Sequence, residues 1–93
     1  MGLDIGVVTK TMLPRPRGAA YHFVWSLVED SNSWGEGNAF AFYLRSHLHA
    51  RAADYIRDRP ELDADLEGQK QILDWIESLP YDDVGYIELY FGW

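Results

Sequence analysis

Ninety-three residues with 47% hydrophobic and 15% aromatic content fit a single globular domain, residues 1–93, and exclude a disordered chain. The absence of cysteine excludes disulfides, a thiolate nucleophile and a cysteine-held zinc. The net charge of −7 repels phosphate backbones, and no apolar run approaches the roughly 20 residues that span a bilayer.

The first predicted element is a half-buried strand in which Leu3, Ile5, Val7 and Thr9 alternate with Asp4, Gly6, Val8 and Lys10. Pro14 and Pro16 lack the backbone N–H that a strand ladder uses, so residues 11–18 read as a loop. Residues 20–28 are β-branched and aromatic. They predict a second strand with Tyr21, Phe23, Trp25 and Leu27 on one side and His22, Val24, Ser26 and Val28 on the other. A polar loop over 29–37 follows. From Asn38, a plausible N-cap, the period changes: Phe40, Leu44, Leu48, Ala52, Tyr55 and Ile56 fall on one helical stripe ending before Pro60. The alternation Ala39-Phe40-Ala41-Phe42 also fits a strand, but the long downstream stripe favours the helix. A second helix is predicted over 62–79, with Leu66, Ile72, Leu73, Ile76 and Leu79 inward and Pro80 as its stop. Residues 84–93 predict a closing strand, with Ile87, Leu89, Phe91 and Trp93 facing in and Tyr86, Glu88, Tyr90 and Gly92 facing out.

These elements specify an α+β fold: a small three-stranded antiparallel or mixed sheet in ββααβ order, with two helices packed on one face. The other face is then left open, carrying Val8, His22, Val24, Tyr86, Glu88 and Tyr90. Exposed apolar surface rich in tyrosine is a docking signal.

No catalytic set, metal set or cofactor motif emerges. Asp30-Ser31-Asn32-Ser33-Trp34-Gly35 opens like a calcium loop, but Trp34 stands fifth and Ala41 stands twelfth, where a glutamate is needed. His47 and His49 diverge on a helix and would share a face only on a strand. His22 and Glu88 form a cross-strand acid–base couple only if both stand on the open face. No Gly-rich phosphate cradle precedes a Lys-Ser/Thr pair.

The acidity is concentrated. Glu61, Asp63, Asp65, Glu67, Asp74, Glu77, Asp82, Asp83 and Glu88 face Lys70 alone after residue 59. Asp63, Glu67, Asp74 and Glu77 form a stripe on the second predicted helix that suits a basic protein partner. The expectation is a cytoplasmic protein–protein interaction module without a cofactor: an inhibitor, immunity, antitoxin-like or regulatory subunit. It would bind its partner through the open sheet face, the acidic helix or both, with a homodimer as a further arrangement and neither nucleic acid nor membrane as a direct partner. The competing expectation is a small enzyme or ligand-binding protein whose site forms at an oligomer interface around His22, Tyr86 and Glu88.

Overall fold

The computed structural model describes residues 13–35 and 37–92, with the backbone alone described at 32–35 and 38. The elements run α1 (Ala19–Glu29), β1 (Asn32–Gly35), β2 (Asn38–Leu44), α2 (Arg45–Arg57), α3 (Pro60–Asp63), α4 (Leu66–Ser78) and β3 (Tyr86–Gly92).

Gly18 opens α1 at φ 59° and ψ −131°, a conformation that a Cβ disfavours. The first helical N–H, that of Ala19, donates to Gln71 Oε1 at 3.0 Å, so a side chain of α4 caps α1. Ala20, Phe23 and Leu27 recur at helical spacing, and all three are buried. The Phe23 ring meets Tyr55 edge-on at 5.3 Å and Trp75 at 6.2 Å, tying α1 to α2 and α4.

β2 and β3 form one long antiparallel pair, in register from Asn38↔Gly92 to Leu44↔Tyr86. β1 lies along the other edge of β2 in a short pairing that slips between Ser33 and Gly35. One face of the long pair carries Ala39, Ala41, Tyr43, Ile87, Leu89 and Phe91. Small residues stand opposite large ones there, Ala39 against Phe91 and Ala41 against Leu89, which leaves room for helix side chains. Phe23 and Leu27 of α1, Leu48 and Ala52 of α2, and Ile72 and Ile76 of α4 complete the core with Tyr43, Ile87 and Leu89.

The stretch between α2 and β3 is held by local capping. Pro60 occupies the first turn of α3, where a missing N–H costs nothing. The Asp65 carboxylate caps α4 by accepting the Gly68 N–H at 3.0 Å. Before β3, Asp82 Oδ1 accepts the N–H groups of Val84 and Tyr86 at 3.0 and 2.8 Å, while Gly85 takes φ 81°.

The sheet in ββααβ order with two covering helices does not form. The first predicted strand, with Val8, lies outside the described residues. Residues 20–28 are helical, because Phe23 and Leu27, four apart, satisfy the helical period as well as the alternating one, while Ala20 joins them only on a helix, and packing on α4 decides between the two. Residues 38–44 are a strand, so Asn38 begins β2 and is no helix cap; α2 starts only at Arg45. The second predicted helix is split by the Asp65 cap. Leu66 and Leu73, expected inside, are 78% and 40% exposed. The last strand begins at Tyr86, two residues later than expected, after the Asp82 turn; Trp93 lies outside the described residues.

Candidate functional site

The outward side of the β2–β3 pair presents Phe40, Phe42 and Leu44 beside Tyr86, Glu88 and Tyr90. Alternation sends every second side chain away from the core, and α1, α2 and α4 contribute to that core from the opposite face. Phe42, Tyr86 and Tyr90 are 50%, 37% and 42% exposed. The rings are ordered against one another. Phe42 stacks on Tyr86 at 5.8 Å with an interplanar angle of 19°, and Phe40 meets Phe42 edge-on at 5.6 Å. Glu88 stands directly opposite Phe42, between Tyr86 and Tyr90 along its own strand. It forms no ion pair among the described residues. The result is one exposed carboxylate set among aromatic side chains.

Of the residues expected on an open face, Tyr86, Glu88 and Tyr90 come together as read. Val24 and His22 do not join them: both belong to α1, on the helix-covered side of the sheet. The His22 ring packs against Tyr21 at 5.5 Å. A His22–Glu88 couple therefore cannot form within one chain, and a site joining His22 to Tyr86 and Glu88 would need surfaces on opposite sides of the sheet. Phe40 and Phe42 were missed. Their signal was the Ala-Phe alternation, which gave way to the long downstream helical stripe; here Ala39 and Ala41 face the core and the phenylalanines face out.

The acidic stripe is not a single helix face. Asp63 ends α3, while Glu67, Asp74 and Glu77 lie on α4. Lys70 Nζ donates to Asp74 at 2.8 Å. Glu77 receives Nε of Arg45 at 2.7 Å together with Nη2 of the same guanidinium, and His49 Nε2 lies 3.2 Å away. The Arg45 hydrogen bonds, seconded by His49, hold the Glu77 carboxyl down at about 2. Asp63 and Glu67 form no ion pair among the described residues.

His47 and His49 lie on α2 and diverge, His47 exposed and His49 turned to Glu77. Among the described residues no group of three His, Asp or Glu could hold a metal ion. No helix among them is long and apolar enough to cross a membrane.

No protein-family model matches this chain, and no curated protein or solved structure matches it. The reading of the site therefore rests on its own geometry.

Proposed function

We propose that this chain is a small acidic interaction module that docks on a basic surface of a protein partner through the outer face of β2 and β3. An inhibitor, immunity, antitoxin-like or regulatory subunit works in this way. The observation that carries the reading is the solvent-facing set of Phe42, Tyr86 and Tyr90, with Phe42 stacked on Tyr86. Aromatic side chains on a sheet face are costly to leave in water and offer large, rigid contact area at small entropic cost. The net charge of −7 favours a basic partner. It weighs against a face-to-face homodimer, which would bring two acidic molecules together.

The test is affinity capture from the native host with the parent, with Phe42→Lys/Tyr86→Lys, and with Val84→Lys as a control. Val84 is 79% exposed in the turn before β3 and takes no part in the ring contacts of Phe40, Phe42 and Tyr86. The double variant should fold, remain monomeric by light scattering and lose a protein that the parent and control both retain. Equal recovery by all three would remove the face as a docking surface. A dimeric parent that becomes monomeric in the double variant would replace the foreign partner by a second copy.

A further inference from the structure

We infer that the outer face recognises a guanidinium group, an arginine side chain of the partner seated on Glu88 between the aromatic rings. The inference rests on reading this face as the docking surface and specifies what it takes. The chain's own arginines engage Glu77 through Arg45, Asp30 through Arg51 at 2.5 Å, and Asp54 and Asp58 through Arg57; of the carboxylates left without an ion pair among the described residues, Glu88 is the one that stands on the outer face of β2 and β3. Glu88 is exposed and has no such partner among the described residues. Its surroundings favour a planar cation over a compact one. Phe42 lies directly across from it, and Tyr86 and Tyr90 stand two residues to either side.

Directly opposed residues bring their Cβ atoms within about 4.5–5.5 Å, and diagonal neighbours within about 7–8 Å. A guanidinium bound to the carboxylate through two N–H groups therefore has a ring within reach of its face. An ammonium satisfies the charge but is more strongly hydrated and stacks less well. The same chain already uses this contact: the Arg59 guanidinium carbon sits 3.5 Å above the centroid of the Tyr55 ring.

The test titrates isotope-labelled protein with the capped tripeptide acetyl-Gly-Arg-Gly-amide and follows the ring resonances of Phe42, Tyr86 and Tyr90. The same tripeptide with citrulline, which keeps the plane and loses the charge, is the first comparison; lysine in place of arginine is the second. The arginine peptide should give saturable shifts on these rings with a millimolar dissociation constant, the strength expected of one side chain. The lysine peptide should bind at least about threefold more weakly, and citrulline should not saturate. Glu88→Gln, a neutral change on an exposed position, should weaken the arginine peptide about fivefold or more. Absence of saturable ring shifts with arginine, equal binding of lysine or citrulline, or unchanged binding by Glu88→Gln would each overturn the inference. Capture from the host separates its failure from that of the docking reading. If Phe42→Lys/Tyr86→Lys loses the partner while Glu88→Gln retains it in full, the face is a docking surface that does not read arginine. If both variants retain the partner, the face itself is misassigned.

Discussion

Gly18 and Gln71 show how two side-chain choices set the position of a helix. The backbone at Gly18 lies where only glycine is relaxed, and a Cβ there would run into the Gln71 amide. That amide in turn caps α1 through Ala19. Gly18→Ala should cost about 1–3 kcal/mol through backbone strain, and Gln71→Ala about 1 kcal/mol through the lost cap. The double variant should cost less than the sum, because removing the amide also removes the obstruction. Urea midpoints at unchanged denaturant slope measure all three; strict additivity would mean that the two residues are independent. Glu77 supplies a pH-dependent counterpart. Its carboxyl is depressed from 4.5 to about 2, so its contribution to stability is complete above pH 4.5, declines as pH falls, and is gone below about 2. Because the pair with Arg45 faces solvent, the effect is modest. Glu77→Gln should be less stable than the parent at neutral pH, with the two converging as acid titrates the parent. Parallel acid limbs for parent and variant would show that the Arg45 contact does not persist in solution.

At the scale of elements, α4 carries the most direct check of the packing. Ile72 and Ile76 are fully buried, whereas Leu73 is 40% exposed. Ile72→Ala should therefore destabilise by about 2–5 kcal/mol, and Leu73→Ala by no more than about 0.5 kcal/mol. Denaturant midpoints that reverse this order would rotate the helix. The sequence placed Ile72, Ile76 and Leu79 correctly because their spacing admits one face. It misplaced Leu66 because α4 begins there, just after the Asp65 cap, and Leu73 because it stands one residue, about 100° of helix, around from Ile72 at the edge of the buried stripe. The last strand was legible, with Ile87 and Leu89 inside and Tyr86, Glu88 and Tyr90 outside, since strict alternation leaves no second solution. Residues 20–28 were not, because Phe23 and Leu27 lie four apart and satisfy both periods; the deciding contact, Phe23 against Trp75, joins positions far apart in the chain. Half of the candidate site was hidden for a related reason. Phe40 and Phe42 face outward because Ala39 and Ala41 occupy the crowded inner face, a volume constraint set by helices that pattern alone does not place.

At the scale of the whole molecule, charge and shape make separable contributions to association. The acidic residues gather after residue 59, yet the chain's own cations partly spend them: Lys70 holds Asp74, and Arg45 holds Glu77. Asp63, Glu67 and Asp83 are exposed and form no ion pair among the described residues, so they project their charge into solvent. Neutralising these three to Asn, Gln and Asn takes the net charge from −7 to −4 without touching the aromatic face. Against a basic partner, the parent's association rate should fall steeply as salt shortens the Debye length from about 30 Å at 0.01 M to about 3 Å at 1 M. The triple variant should associate several-fold more slowly at low salt, converge with the parent at high salt and dissociate at the parent's rate, because long-range charge steers encounter while close contacts set residence. Phe42→Ala should show the opposite pattern, with a near-parental association rate and faster dissociation at every salt concentration. Stopped-flow association and chase-induced dissociation, using the captured partner, distinguish the two. If the triple variant associates at the parental rate at low salt, the acidic end of the chain does not steer the encounter, and the outer sheet face alone accounts for binding.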